Sequence, residues 1–191
     1  MGQYYNAIVE NKDNKRGFEQ YNIFRSIGED YGGQKLMEHS WLRNGFVNSV
    51  AKLLYHSPRR VMWMGDYTED SDFSRIIKNH IGVAVPSVEY GENLDKLEDA
   101  HDFSLDGKYL VNHDKKQYID MDKYIEMNDA DGWVVHPLPL LTCTSNQRGG
   151  GDYYGSDSDS VGTWEWDTIS IEDDKQTLDG FKEVDFRFSE E

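Results

Sequence analysis

The residue types best suited to chemistry gather in one stretch of this chain. Arg148-Gly149-Gly150-Gly151-Asp152 places three consecutive glycines beside a guanidinium. Successive glycines let backbone N–H groups converge on an anion, and Arg148 adds a forked donor, so the loop has the makings of a phosphate cradle. It is not a Walker loop, because no Lys-Ser/Thr follows the glycines, and its spacing is not that of a dinucleotide fingerprint. The alternative reading is a tightly turned connection. His136 alternates with apolar residues just upstream and is a candidate acid or base, with Asp66 or Asp152 as the carboxylate partner. Asp66 follows Trp63-Met64-Gly65 at an expected strand end, where open sheets place functional carboxylates, although it serves equally well as a turn residue. For His136 the plainer reading is a hydrogen-bonded structural histidine.

Other constellations are weaker. Cys143, the only cysteine, has no nucleophile signature around it and reads as a buried small thiol. Asp152, Asp157 and Asp159 could join backbone oxygens around a hard cation, but an EF-hand register fails there for want of its glycine and its glutamate. Asn128-Asp129-Ala130-Asp131-Gly132 fails too, with Met127 and Leu138 at ligand positions. The histidines at 39, 56, 80, 101, 113 and 136 show no zinc spacing. No metal site is therefore expected, and the sequence leaves the cofactor unknown. Trp164 and Trp166 alternate with Glu165 and Asp167, so a strand there would turn both indoles to one side, as core or as partner-facing aromatics.

The elements that must position these groups are legible in part. Trp133–Thr142 reads as an apolar strand feeding the glycine loop, with Pro137 and Pro139 unable to donate ladder bonds and so placing it at an edge or a bend. Tyr4–Glu10 and Phe18–Ser26 flank a polar turn and form an expected hairpin. Ser40–His56 is the clearest helix: Phe46, Val47, Val50, Leu53 and Leu54 share one face at helical spacing. Either His39-Ser40 or Asn44 caps it, and Ser57-Pro58 ends it. Gly45 inside that pattern marks either the helix start or a close packing contact. Arg59–Gly65 is apolar on both sides, as a central strand would be. Ser71–Ile81 is a second helix, closed by Gly82. Residues 83–90 are expected to be extended around Pro86. Lys108–His113 and Gln117–Met121 make another hairpin, followed by a helical turn over Asp122–Met127. Thr168–Ile171 and Phe181–Phe188 are the last strands, the latter turning Val184, Phe186 and Phe188 inward. The expected fold is a single α+β domain over 1–191: a mostly antiparallel, twisted sheet with helices 40–56 and 71–81 packed on it.

Composition sets the functional frame. The chain has 191 residues and a mean hydropathy of −0.78, but aromatics make up 13% of it, which disordered chains lack. A folded domain with an aromatic core and a very polar surface follows. A lone cysteine suits a reducing compartment. Met1-Gly2-Gln3-Tyr4-Tyr5 has no signal-peptide sections, Asn6 stands where a myristoylation signal wants Ser or Thr, and no apolar run is long enough to span a bilayer. The expectation is a cytoplasmic protein away from membranes. Net charge is −16, and it is uneven: residues 1–60 carry +3, residues 61–151 carry −9 and residues 152–191 carry −10. Such a C-terminal portion repels nucleic acid and attracts basic surfaces; solubility alone is the other reading.

Several motifs carry a resemblance. Gly2-Gln3-Tyr4-Tyr5, Lys35-Leu36-Met37-Glu38-His39-Ser40, Trp63-Met64-Gly65-Asp66-Tyr67, Lys108-Tyr109-Leu110-Val111-Asn112-His113, and Pro137-Leu138-Pro139-Leu140-Leu141-Thr142 with Gly149-Gly150-Gly151-Asp152-Tyr153 together resemble a group of small uncharacterised bacterial and phage proteins. The resemblance spans residues 2 to about 171. It implies a bacterial or mobile-element cytosolic protein and transfers no catalytic residue.

Two functional expectations follow. One is a non-enzymatic interaction protein whose acidic portion, with Asp157, Asp159, Trp164, Glu165, Trp166 and Asp167, engages a basic protein surface. A phage origin would make it an inhibitor of a host nucleic-acid-binding or defence protein. The other is an enzyme handling a small anionic ligand or nucleotide at Arg148, Gly149, Gly150 and Gly151, with His136 and Asp66 or Asp152 as acid–base groups.

Overall fold

The computed structural model describes residues 5–10, the backbone of 21–24, residues 35–65, 100, 102–129, 132–144, 153, 155 and 159–188. The fold is α+β. Seven strands form one sheet: β1 (Tyr5–Glu10), β2 (Tyr21–Phe24), β3 (Arg59–Gly65), β4 (Tyr109–Asn112), β5 (Gln117–Asp120), β6 (Thr168–Glu172) and β7 (Lys182–Glu183). Their spatial order is β2-β1-β3-β6-β4-β5-β7, and every pairing is antiparallel except β5 with β7. Both expected hairpins are present, and β3 lies inside the sheet, as its two-sided apolar pattern requires.

The register explains that pattern. Tyr5, Ala7 and Val9 oppose Gly65, Trp63 and Val61. These side chains share one face with Ile169 and Ile171 and pack into a single cluster with helix α1 (Gly45–Leu53) and the short helix α3 (Pro137–Thr142). Ile8 opposes Met62, and with Met64 these point to the other face, where all three are buried. Further along that second face, Val111 and Tyr118 pack on Leu178 of a 3-10 turn, Lys175–Leu178.

Helix α1 begins where Asn44, not His39-Ser40, supplies the cap: its side-chain oxygen accepts the Val47 N–H at 3.1 Å. Gly45 is therefore the first helical residue and costs the helix interior nothing. Asn48, buried within α1, donates to the Phe103 carbonyl at 3.0 Å and ties the helix to the 103 loop. The helix unwinds through Leu54, and His56 takes up a left-handed conformation (φ 50°). Helix α2 (Met121–Asn128) is longer than the single turn expected. Asp120 caps it, accepting the Lys123 N–H, and it buries Met121, Tyr124 and Asn128.

Two expected strands are corrected. Residues 133–142 are not one strand. Only Val135 forms an isolated antiparallel bridge, with Trp41, and Pro137–Thr142 is helical. Pro137 stands at the first helical position and Pro139 two further on, where backbone N–H groups have no intrahelical acceptor, so the missing donors cost nothing. Residues 181–188 keep the inward alternation, with Val184 and Phe186 half-buried and Phe188 buried, but only Lys182–Glu183 joins the sheet. Beyond Val184, whose N–H donates to the Tyr118 carbonyl at 2.9 Å, the buried Asn128 side chain takes the place of a neighbouring strand. The expected helix 71–81 and the extended segment 83–90 lie outside the described residues.

Candidate functional site

Asp66, Arg148, Gly149, Gly150, Gly151, Asp152 and Asp157 lie outside the described residues. The other sequence candidates are placed, and they do not converge. His136 is fully buried as the cap of α3. Its Nδ1 accepts the Leu138 N–H at 3.1 Å, which leaves the proton of the neutral ring on Nε2. That nitrogen is buried and has no hydrogen-bond partner among the described residues. Burial alone drives the His136 pKa from 6.5 down to about 3. A ring held neutral and sealed from solvent does the work of a cap and has no basicity to offer near neutral pH.

Trp164 and Trp166 are each 1% exposed, so both belong to the interior. They sit on a run of turns over 159–166, not on a strand. The Trp164 N–H donates to Leu141 and the Trp166 N–H to Val61, so the run threads between α3 and β3. The Trp164 indole N–H reaches Gln117 at 3.2 Å. Asp167 is half-buried, accepting from Asn112 at 2.8 Å and pairing with Lys115. Asp159 is exposed and Glu165 half-buried. Cys143 is buried, its thiol donating to the Leu140 carbonyl at 3.3 Å.

The structure assembles a polar cluster that sequence spacing did not flag. His56, left-handed after α1, meets the two carboxylates that end and follow β6. Its Nδ1 lies 2.8 Å from Glu172 Oε2, and its Nε2 lies 3.5 Å from Asp173 Oδ1. Tyr55 donates to Asp173 Oδ2 at 2.6 Å. Behind them the buried Ser170 hydroxyl donates to Glu172 Oε1 at 2.6 Å and lies 2.8 Å from His113 Nε2. Because the serine proton is directed at the carboxylate and the hydroxyl is buried, this is not an activated nucleophile. What the group can do is hold a proton on His56. Backbone bonds fix the geometry: His56 N–H to the Ile171 carbonyl at 3.0 Å and Ile171 N–H to the Leu54 carbonyl at 3.1 Å. The partners lie 116 and more residues apart, so no local pattern could have revealed them.

The hydrogen bond to Glu172 raises the His56 pKa above 6.5, with Asp173 adding to it. The Asp173 pKa is lowered by the Tyr55 hydrogen bond first and the His56 charge next. Folding therefore favours charged His56. Its contribution is complete below the unfolded value of 6.5 and fades as pH rises through the folded one. In an NMR titration His56 should titrate above 6.5, and Glu172→Gln should bring it back towards that value. An unchanged His56 midpoint in the variant would refute the pairing.

Among the described residues exposed carboxylates outnumber exposed Lys and Arg. Asp106, Asp122, Glu126, Asp129, Asp159, Asp173, Asp174, Asp179 and Asp185 are all exposed. Several other acids are neutralised within the fold, Glu183 by Lys123 and Lys175 and Asp167 by Lys115. Among the described residues no group of three or more His, Cys, Asp or Glu is placed to hold a metal ion, and no helix is long and apolar enough to cross a membrane. No protein-family model, no curated protein and no solved structure matches the chain.

Proposed function

We propose that this chain is a non-enzymatic, cytoplasmic interaction protein whose acidic C-terminal portion engages a basic patch on a protein partner. The observation that carries the reading is the state of the acids from 159 onward. Asp159, Asp174, Asp179 and Asp185 are exposed and have no ion-pair partner among the described residues, while Trp164 and Trp166 withdraw into the core. A surface with an excess of carboxylates speeds association with a cationic surface and disfavours nucleic acid. A basic patch of this kind is the sort that otherwise binds nucleic acid. With the resemblance to bacterial and phage proteins, that makes an inhibitor of a host nucleic-acid-binding or defence protein the specific form of the proposal. His136 lends the enzymatic alternative no support, because its ring is buried and committed to a helix cap.

The test is capture from nuclease-treated bacterial lysate with the wild-type chain and with the triple variant Asp159→Asn, Asp179→Asn, Asp185→Asn. The wild type should retain a basic partner that the variant loses, and that about 0.5 M salt releases. Equal capture by the two baits would refute the reading.

A further inference from the structure

Trp133 is the one exposed large apolar side chain among the described residues, at 50% exposure. It does not dangle. Gly132, at φ 77°, turns the chain just before it and donates its N–H to Asp129 Oδ1 at 2.6 Å. Just after it, the Val134 carbonyl accepts the Leu42 N–H at 2.9 Å, Val135 bridges Trp41, and the Val135 carbonyl accepts the buried Tyr124 hydroxyl at 2.7 Å. The indole therefore projects from a backbone pinned on both sides. It lies against Trp41, with ring centroids 5.0 Å apart and planes at 43°. A rigid, half-exposed tryptophan backed by a second aromatic is the side-chain type that anchors interfaces, because little entropy is lost when it is covered.

The charge beside it selects the occupant. Asp122 and Glu126 are exposed on α2, its C-cap Asp129 is exposed as well, and the helix ends at the turn that presents Trp133. Only Asp122, in the first turn, suits the helix dipole. Glu126 and Asp129 stand at the negative end, where the last turn holds no basic residue, and Asp122 repels Glu126 one turn away. Asp122 is also tied into the fold by the Gly107 N–H at 2.8 Å and Asp129 by the Gly132 N–H, so Glu126 is the acid that helix stability does not explain. Lys123, the one base on α2, is engaged by Glu183. An indole with a carboxylate at its turn complements arginine better than lysine: the planar guanidinium stacks on the indole while its N–H groups fork onto the carboxylate.

We infer that Trp133, backed by Trp41 and following the turn that Asp129 holds at the end of the acidic helix α2, is the docking point for an arginine-rich segment of the partner. This rests on the reading that the partner is basic, and it adds where that partner is gripped and by which residue type. Two labelled peptides of equal length and charge, oligo-arginine and oligo-lysine, test it by fluorescence anisotropy. The wild type should prefer oligo-arginine by about fivefold. Trp133→Ala should abolish that preference and leave the weaker lysine binding within about twofold, while Trp133→Phe should keep part of it. Glu126→Gln with Asp129→Asn, which keeps an oxygen to hold the Gly132 turn, should weaken the arginine peptide more than the lysine one. Far-ultraviolet dichroism confirms that each variant is folded. Equal affinity of the wild type for the two peptides overturns the inference. So does a preference that survives Trp133→Ala. If in either case binding still vanishes in the triple acid variant, the acidic-surface reading stands without it. Failure of both peptides to bind overturns the inference as well.

Discussion

Replacing Asn128 by alanine should lower the free energy of unfolding by about 3 kcal/mol, a large effect for one side chain at the end of an eight-residue helix. Asn128 is 2% exposed. Its amide nitrogen donates to the Tyr124 carbonyl at 2.9 Å and to the Phe186 carbonyl at 3.0 Å, and its oxygen accepts the Phe188 N–H at 2.6 Å. One side chain thus plays the part of a neighbouring strand for the last described residues. Phe188 seals the core there, its ring edge-on to Tyr153 and stacked on Phe186, while the Tyr153 hydroxyl donates to the Phe188 carbonyl at 3.0 Å. Removing the amide leaves a buried N–H unsatisfied, and such a group costs far more than a surface bond gains. Asn128→Asp should be nearly as damaging, since a carboxylate cannot donate to the two carbonyls. Urea denaturation measures the loss. Hydrogen exchange localises it, with the Phe188 amide losing its protection first. A stability within about 0.5 kcal/mol of wild type would mean that the 184–188 segment is held by packing alone.

The second large effect is acid sensitivity centred on His136. Burial lowers its pKa from 6.5 to about 3, so the unfolded chain takes up a proton at a higher pH than the native one. The sign follows: the contribution is complete above 6.5 and is lost as pH falls from there towards 3. Each unit of separation is worth about 1.4 kcal/mol, so about 2–3 kcal/mol should be gone by about pH 4.5, before most carboxylates titrate. His136→Asn keeps an acceptor for the Leu138 N–H and cannot titrate. It should lose some packing at every pH, but it should lack the decline that His136 gives the wild type. Parallel curves for the two proteins over about pH 7 to 4.5 would show that His136 is not the group responsible. His56 works in the opposite sense, since its carboxylate partners raise its pKa.

The sheet and α1 were legible because their information is local. The two-sided apolar run of β3, the polar turn between β4 and β5, and Asn44 ahead of an amphipathic run each act within a few residues. Helix α3 was not legible. Six residues are too few for a helical period to declare itself, and the cap is a histidine where Ser, Thr, Asp or Asn would have been the signal. Prolines that argue against a strand are, in a first turn, a mark of a helix start, and only the tertiary placement distinguishes the two. The alternation of Phe181–Phe188 predicted burial correctly and pairing incorrectly, because an asparagine on another element supplies the hydrogen bonds. Alternation at Trp164 and Trp166 suggested a shared side of a strand, but a chain of turns carries both into the interior. The His56 cluster joins groups more than a hundred residues apart and leaves no trace in spacing. In the sequence Trp133 belongs to an apolar run, and only the fold shows it standing half in solvent after the turn that Asp129 holds.

The most direct test of the central claim is the affinity of the purified partner, once captured, for the wild-type chain and for the triple variant Asp159→Asn, Asp179→Asn, Asp185→Asn, measured by titration calorimetry at low and high salt. An acidic surface that drives recognition predicts about a tenfold weaker complex in the variant at low salt, with the two proteins converging as salt screens the charge. Equal affinities at low salt would contradict it and remove the acidic surface as the source of binding.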